Sequence, residues 1–278
     1  MKFLFPFLFL SQFIFGQHTA LWRIQNPSNN DTSYILGSLH FIGNSIIDSM
    51  PAINIMLRCD VAVFESIDDD SVAINLMSQR KNDFSYTKYL YKSDVDYLDN
   101  ISKNWTVPLS KLTPIELFIQ LRRKLITTHC GCVKPTDTWS HFDNYMQYTA
   151  KKNNIPLLGL ETDSSQLRDI NQLLVPNYNL KAAKKAIHQQ ISNLKSGKNK
   201  SSYCQDVNNY LSRSFNYGFD KSCQSVNVIK RNNEWLPKII NSLKQKKTFI
   251  TVGLFHLFGD CGIISQLRKQ GFIVEPLI

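Results

Sequence analysis

The sequence lacks the short motifs that mark several large enzyme classes. Its 278 residues contain no Gly-x-Ser-x-Gly elbow, no His-Glu-x-x-His, no phosphate-binding loop and no dinucleotide fingerprint. Serine hydrolases of the α/β type, zincin proteases and dinucleotide-dependent dehydrogenases are therefore not indicated. The chain also shows no solenoid period and no low-complexity linker. Its 43% of hydrophobic and 12% of aromatic residues are enough to build a core, which disfavours global disorder.

Long hydrophobic runs are scarce, and the longest one lies at the start of the chain. Lys2 precedes an apolar stretch from Phe3 to Phe15, and Gly16-Gln17 offers a cleavage site. This stretch is shorter than the roughly 20 residues that a membrane-spanning helix needs. We therefore expect a signal peptide over residues 1–16, with a retained anchor as the alternative. Residues 17–278 are then expected to fold as a single domain of an exported protein, periplasmic or extracellular, without a stable membrane span.

The six cysteines are even in number, which favours disulfides in an exported protein. Cys130-Gly-Cys132 is too tight to close easily on itself, so we expect each of these two residues to pair elsewhere. The sequence does not choose among the 15 pairings that six cysteines permit. Metal binding by Cys-Gly-Cys is the alternative, but no second cysteine pair has the spacing of zinc ligands.

The formal charge of +10 makes nucleic acid a partner to consider. The basic residues are scattered, however, apart from residues 181–200 and 244–247. Neither stretch interleaves aromatic residues as a base-stacking surface does. We therefore interpret both as solvated helix faces and expect no nucleic-acid partner.

Alternating and apolar runs at the two ends of the chain predict strands, whereas the middle has helical periodicity. Each end has the order strand, Gly-x-x-His, short helix, strand. These units predict an α/β (or α+β) fold with a central mixed sheet, parallel βαβ units at both ends and a helical middle. The first helix is expected to begin at Ser49-Met-Pro51, with Ser49 as its cap. Strands are predicted near 22–25, 34–38, 61–65, 155–161, 248–252 and 272–275, and further helices from 114 and 263 and over 139–152, 180–194 and 232–243.

Two stretches 216 positions apart share one pattern. Tyr34-Ile-Leu-Gly-Ser-Leu-His40 and Thr248-Phe-Ile-Thr-Val-Gly-Leu-Phe-His256 are each an apolar β-type run followed by Gly-x-x-His. In open parallel sheets, ligands bind beyond the carboxyl ends of the strands, where both imidazoles are expected. Because both histidines follow a strand through the same Gly-x-x-His pattern, they are candidates for one shared reaction site.

Two glutamates follow predicted strands in the same way. Glu65 and Glu161, together with His40 and His256, form a suitable ligand set for a divalent ion such as Mn, Co or Zn. Such an ion can activate water, and a carboxylate outside the ligand shell can act as general base. The sequence does not decide whether Glu65 is a ligand or the base. The simpler interpretations are a salt-bridged strand end for Glu65 and a carboxylate at a helix N-terminus for Glu161.

Other residues near these motifs have expected supporting roles. Gly37 and Gly253 are expected to allow sharp turns after their strands, because glycine tolerates positive φ. Backbone N–H groups of residues 259–262, at a helix start, are expected near His256, where they could hold an anion. The remaining histidines of the central region lack a strand-end context and are interpreted as surface residues: His129, His141 and His188.

Taken together, these motifs make the chain resemble the TraB/GumN family, which includes the Tiki proteases and the PrgY pheromone-shutdown proteins. The resemblance extends over roughly residues 21–277, and Leu254 replaces the small residue of the family's usual Gly-Ala-x-His. The matching stretches are Ile35-Leu-Gly-Ser-Leu-His40, Ala62-Val-Phe-Glu65, Gly159-Leu-Glu-Thr162 with Gln166, Arg231-Asn232 and Val252-Gly-Leu-Phe-His-Leu-Phe-Gly259 with Gly262.

The resemblance implies a metal-dependent hydrolase of the peptidase class, with a peptide or protein substrate. It places His40, Glu65 and His256 in the site and implies a fold related to the erythromycin-esterase and ChaN-like proteins. Arg231 and Asn232 match the family's Arg-Asn pair, which could hold a substrate carboxylate or steady a metal-bound one. Two alternatives stay open: a non-catalytic protein that sequesters a peptide or a haem-like ligand, and a metal-free hydrolase with a histidine base. Oligomeric state is not predicted.

Overall fold

A six-stranded mixed sheet organises the computed structural model. The structure describes residues 19–28, 31–81, 84, 86–172, 180–197 and 202–277. The predicted signal peptide at 1–16 lies outside these residues. The strands are β1 (Leu21–Gln25), β2 (Thr32–Ser38), β3 (Val61–Phe64), β4 (Leu157–Gly159), β5 (Thr248–Gly253) and β6 (Ile273–Pro276), in the order β4-β3-β5-β2-β1-β6.

Helices make up 53% of the structure, so the predicted α/β class with a mixed sheet is confirmed. Most helices lie in the middle of the chain, as the periodicity predicts. Within the described ranges they are α1 (Asn44–Asp48), α2 (Ala52–Met56), α3 (Asp70–Ser78), α4 (Lys92–Ile101), α5 (Pro114–His129), α6 (Phe142–Lys152), α7 (Asp163–Gln172), α8 (Leu180–Ser196), α9 (Ser202–Leu211), α10 (Val226–Gln245) and α11 (Ile263–Lys269).

The two strand-helix-strand units are present, but the strands within each unit are not neighbours. Strand β5 lies between β2 and β3, and it is parallel to both. Strands β2 and β1 separate β5 from β6, and β1 is antiparallel to its two neighbours. Every residue of β5 is buried, which suits a central strand covered on both faces. The predicted parallel pairs therefore exist between the two ends of the chain rather than within each end.

Local signals explain where several helices begin. Thr113 and Glu116 form a reciprocal capping box at the start of α5, with Pro114 as the first helical residue. Helix α10 begins earlier than predicted, because the Ser225 hydroxyl accepts a hydrogen bond from the backbone N–H of Val228. The expectation that Ser49 caps the first helix is wrong, since it closes α1 and α2 starts after Pro51.

Two hydrophobic clusters stabilise these elements. The larger one covers the sheet and contains the fully buried Trp22 and Trp235. The second one lies among the helices of the middle region and joins α4, α5 and α8 through side chains that include Leu98, Leu121 and Ile187. The helical middle therefore has apolar packing of its own, next to the sheet core.

Two disulfides link elements that are distant in the sequence. Cys130 pairs with Cys204, and Cys223 pairs with Cys261. The expectation that Cys132 also pairs is wrong, because Cys132 and Cys59 are free and buried. Burial raises the pKa of both free thiols to about 11, so neither is a reactive thiolate at neutral pH. Disulfides of this kind fit a protein that folds in an oxidising, exported environment.

In the described part of the chain, no helix has both the length and the apolar character required to cross a membrane.

The disulfide pairing predicts which cysteines have free thiols. After denaturation without reductant, iodoacetamide should label two cysteines, Cys59 and Cys132, and after reduction it should label all six. Mass spectrometry of tryptic peptides should find Cys130 joined to Cys204 while Cys132 of the same peptide carries the label. A peptide with Cys132 in the disulfide and Cys130 labelled would contradict the structure.

Candidate functional site

The four predicted site residues follow four neighbouring strands of the sheet. His40 comes just after β2, Glu65 directly after β3 and Glu161 just after β4, while His256 lies in a short 3-10 turn after β5. Strands β4, β3, β5 and β2 are parallel, so their carboxyl ends form one edge. Along this edge the residues occur in the order Glu161, Glu65, His256, His40.

Gly253 is the point around which three of these side chains meet. A Cβ atom added to Gly253 would lie 3.1 Å from Glu65 Oε1, 3.5 Å from His256 Cδ2 and 3.6 Å from His40 Nε2. The backbone N–H of Gly253 also donates to Glu65 Oε1 at 2.7 Å. A turn does follow Gly253, but the expected positive φ is wrong, because Gly253 has a φ of −53°. Its role is instead to leave room for the three side chains.

The second motif glycine, Gly37, also serves packing and not a turn. It lies within β2, and an added Cβ would lie 2.6 Å from Leu254 Cδ1 and 2.9 Å from Leu257 Cδ1. The turn that carries His256 therefore packs directly against the strand that leads to His40.

An aspartate orients the ring of His40. Asp143, in the first turn of α6, lies with Oδ2 2.5 Å from His40 Nδ1, and its Oδ1 accepts a hydrogen bond from Ser38 at 2.9 Å. Burial alone would lower the pKa of His40, but the charge and hydrogen bond of Asp143 raise it to about 9. The pair is therefore an imidazolium and a carboxylate at neutral pH, with the pKa of Asp143 lowered to about 2 despite its burial.

An amide orients the ring of His256. Asn232 Oδ1 lies 2.6 Å from His256 Nδ1, and Asn232 Nδ2 donates to the backbone oxygens of His256 and Cys261. Because the amide oxygen can only accept, Nδ1 carries the proton and Nε2 keeps its lone pair. Burial, with the nearby charge of Arg231, lowers the pKa of His256 to about 4, so this ring is neutral.

A buried arginine joins the two glutamates. Arg231 Nη2 lies 2.6 Å from Glu65 Oε2 and 2.6 Å from Glu161 Oε1, and Nη1 lies 3.3 Å from His256 Nε2. The guanidinium group also packs over the ring of Trp235, whose Nε1–H donates to Glu161 Oε2 at 3.1 Å. Arg231 thus contacts three of the four predicted site residues.

The two glutamates differ in their proton affinity. Burial would raise the pKa of Glu65, but the charges of His40 and Arg231 outweigh it and lower the pKa. For Glu161 burial prevails over the hydrogen bonds from Arg231, and the pKa is raised. Glu65 is therefore the better candidate for a permanently ionised carboxylate.

Three side chains form a group in which one ligand atom from each lies within 4.8 Å of the others: His40, His141 and Asp143. The ring of His141 stacks on that of His40, with centroids 5.7 Å apart. The other such group in the described residues contains Cys223 and Cys261, but these two cysteines are joined in a disulfide and so offer no thiolate ligand. A His/Asp metal site at His40 is therefore possible, and Asp143 and His141 are residues that the sequence interpretation missed.

The only sequence signal for these two residues is their place at the start of a helix. His141 caps α6 by accepting a hydrogen bond from the backbone N–H of Asn144, and Asp143 is an acidic residue in the first turn. The other two central histidines lie outside this group, since His129 contacts the backbone oxygen of Leu194 and His188 pairs with Asp94.

The expected anion site at residues 259–262 is wrong. All four backbone N–H groups are already hydrogen-bonded within the protein: to Tyr217 O, Lys221 O, Cys223 Sγ and Gly259 O. The helix start that follows His256 therefore serves to anchor the Cys223–Cys261 segment.

An elongated polar cleft opens beside the site. One cavity of about 350 Å³ is lined by His40, Glu65, His141 and Arg231. It shares Phe41, His141 and other residues with a neighbouring cavity of about 530 Å³. The two together form a groove that begins at the site and continues over the helical region.

The two histidines should titrate differently in the metal-free protein. We predict that His40 stays charged to above pH 7, and that His256 is neutral from pH 5 to 8 with its proton on Nδ1. Because the folded-state pKa of His40 exceeds 6.5, its pair with Asp143 stabilises the fold below that pH and loses this contribution as the pH approaches 9.

Long-range ¹⁵N–¹H spectra of the histidine rings, recorded with a chelator present, measure this directly. Asp143→Asn should lower the pKa of His40 and leave that of His256 in place. A His40 that titrates near 6.5 in the wild-type protein, or a His256 charged at pH 6, would contradict the hydrogen-bond assignment.

The comparisons with known proteins agree with the arrangement of these motifs. The chain has no match among curated proteins. Residues 20–276 match the TraB/PrgY/gumN family, which covers the strands, the arginine helix and both Gly-x-x-His turns. The predicted resemblance is therefore confirmed, and the chain belongs to the TraB/PrgY/gumN family.

Proposed function

We propose that the protein is an exported, divalent-metal-dependent hydrolase that cleaves peptide bonds at the carboxyl edge of β2, β3 and β5. The observation that carries this proposal is the matched pair of histidines. His40 and His256 each have Nδ1 fixed by an oxygen of another residue, while both rings and Glu65 adjoin Gly253. Metal-ligating histidines have their second nitrogen held in this way.

The donor set fits such an ion. Imidazole nitrogens with a carboxylate are suitable ligands for Zn, Mn or Co. We assign His40 and His256, each through Nε2, as the residues that would hold the ion, and Glu65 as the carboxylate beside them that acts as base. The alternative set is His40, His141 and Asp143, in which Asp143 already contacts His40 Nδ1 at 2.5 Å. The ion, when bound, supplies a Lewis acid that polarises a carbonyl group.

Glu161 is assigned to a supporting role. Its strand is three positions from that of His40 in the sheet, or roughly 14 Å at the usual strand spacing. Both of its carboxylate oxygens accept hydrogen bonds from Arg231. We therefore propose that Glu161 fixes the guanidinium group and does not bind the ion.

The remaining residues supply the proton transfer and the charge that hydrolysis needs. Glu65, with its lowered pKa, is ionised at neutral pH and can take a proton from an attacking water and pass it to the leaving amine. Arg231 lines the cleft and can stabilise negative charge that develops on the carbonyl oxygen. Asn232 is a positioning residue that keeps the His256 ring in place.

The shape of the cleft supports a peptide substrate. The groove extends from His40 past Phe41 and Gln166 to residues of α3 and α5, such as Ala73 and Ile119. An extended peptide chain fits a groove of this kind, in which successive side chains meet different parts of the lining.

A metal-free hydrolase is the second candidate, and the position of Arg231 favours it. The guanidinium already neutralises Glu65 and lies 3.3 Å from His256 Nε2, where its charge opposes a second cation. In this case Glu65 or His256 would act as base without an ion. An activity that persists after extensive chelation, with no metal in the protein, would select this candidate.

The main proposal predicts loss of peptide cleavage in two variants. His40→Ala and Glu65→Gln should each reduce kcat/KM by at least about 10²-fold, since a ligand or the base is removed. The measurement uses quenched fluorescent peptides and protein supplied with Mn²⁺, Co²⁺ or Zn²⁺. His188→Ala is the control, because this ring pairs with Asp94 and lies outside the site. Equal cleavage by all four proteins, or none by the wild type with any metal, would refute the proposal.

Metal titration distinguishes the two ligand sets. We predict that His256→Ala abolishes tight binding and that Asp143→Asn weakens it by about 10–100-fold, because Asp143 only orients His40. His141→Ala should have a smaller effect than either. Binding at pH 7 should also release a proton, since His40 carries one there. Calorimetry in buffers of different ionisation enthalpy measures both quantities. Binding that survives His256→Ala and is lost in His141→Ala would select the alternative set.

A further inference from the structure

An apolar cavity adjoins the proposed reaction centre. It has a volume of about 330 Å³ and shares His40 and Phe41 with the polar cleft. It also reaches Gly253 and His256, so both Gly-x-x-His turns form part of its wall. Most of the other lining side chains are apolar, and they include Leu39, Ile42, Ile119, Ile126, Leu254 and Phe255.

We propose that this cavity is a specificity pocket that takes one large apolar side chain of the substrate, of the Leu or Phe class, next to the bond that is cleaved. The inference rests on the proposed function and adds the substrate class to it. The position of the cavity supports the proposal, because a group bound there lies against both Gly-x-x-His turns. The lining supports it as well, because burial of an apolar side chain against apolar walls is favourable.

The charged residues of the cavity favour a neutral occupant. Arg122 and Asp206 both line it, and their opposite charges interact. The guanidinium of Arg122 also lies 4.1 Å from the centroid of the Tyr203 ring. The charge of His40, which also lines the cavity, is balanced by Asp143, so a charged side chain would lose its hydration here without meeting a net opposite charge.

The size of the cavity is sufficient for one large apolar side chain. About 330 Å³ is at the small end of ligand pockets, which range over roughly 300–1,000 Å³. The polar cleft and its continuation remain available for the rest of the peptide. The site thus has an apolar pocket and an elongated groove that meet at His40 and Phe41.

One helix provides a matched pair of variants that tests the pocket. Val228 lines the cavity, whereas Val226, two residues earlier on α10, is 72% exposed and is absent from the lining. Val228→Phe should fill part of the cavity, and Val226→Phe adds the same side chain on the surface. Both variants leave His40, Glu65 and Arg231 unchanged.

The assay uses blocked alanine pentapeptides in which one position at a time is Leu, Phe or Asp. For the wild-type protein, kcat/KM should rise at least tenfold when Leu or Phe occupies one particular position beside the cleaved bond, and Asp there should give no gain. Val228→Phe should remove most of this preference for Leu and Phe without lowering cleavage of the all-alanine peptide. Val226→Phe should behave as the wild type does.

The outcomes separate this inference from the hydrolase proposal. Cleavage without any apolar preference, or a preference that Val228→Phe leaves intact, overturns the pocket and leaves the hydrolase standing. If no peptide is cleaved, fluorescence anisotropy of labelled versions of the same peptides is measured. Tighter binding of the Leu peptide, lost in Val228→Phe but kept in Val226→Phe, supports the pocket and refutes the hydrolase. Equal binding of all peptides, or no binding, overturns the pocket as well.

Discussion

The rest of the site depends on the ion pairs that the buried guanidinium of Arg231 forms with Glu65 and Glu161. Its side chain is 12% exposed, and those of Glu65 and Glu161 are 7% and 9% exposed. Removing one partner of such a pair leaves an uncompensated buried charge, at a cost of roughly 3–5 kcal/mol. The arginine therefore ties helix α10 to the ends of β3 and β4. Since Asn232 is the next residue on that helix, the position of the His256 ring depends on the same contact.

Each histidine ring is held by a hydrogen bond at Nδ1, but His40 is positively charged and His256 is neutral. A carboxylate from α6 holds His40 and stabilises its cation, while a neutral amide from α10 holds His256 in a site where the arginine charge opposes protonation. One ring therefore carries a proton at neutral pH that an incoming cation would displace, and the other offers a lone pair throughout. This asymmetry suits a site that exchanges protons for a cation, and it explains how an arginine and two histidines share a small volume.

The sequence predicts the ends of the strands well, because the signals are local. An apolar run followed by Gly-x-x-His, or by Glu, marks each strand end at His40, Glu65 and His256, and the order of elements follows from periodicity. The insertion of β5 between β2 and β3 could not be predicted, since strand alternation carries no information on which distant strands pair. The role of Asp143 could not be predicted either, because it contacts His40 across 103 positions of the sequence. An acidic residue in the first turn of a helix also has an ordinary local explanation, since it interacts favourably with the helix dipole. The free thiol of Cys132 likewise depends on which of two neighbouring cysteines faces α9.

Anomalous X-ray scattering from crystals of the protein soaked in Mn²⁺ or Zn²⁺ tests the central claim most directly. The claim is that the edge formed by β2, β3 and β5 binds one cation through imidazole Nε2 atoms. The account predicts a single strong anomalous peak about 2.1 Å from the Nε2 atoms of both His40 and His256, a distance typical of metal-imidazole bonds. A peak between His40 and His141, or no peak near either Gly-x-x-His turn while Arg231 keeps its contacts, would contradict it.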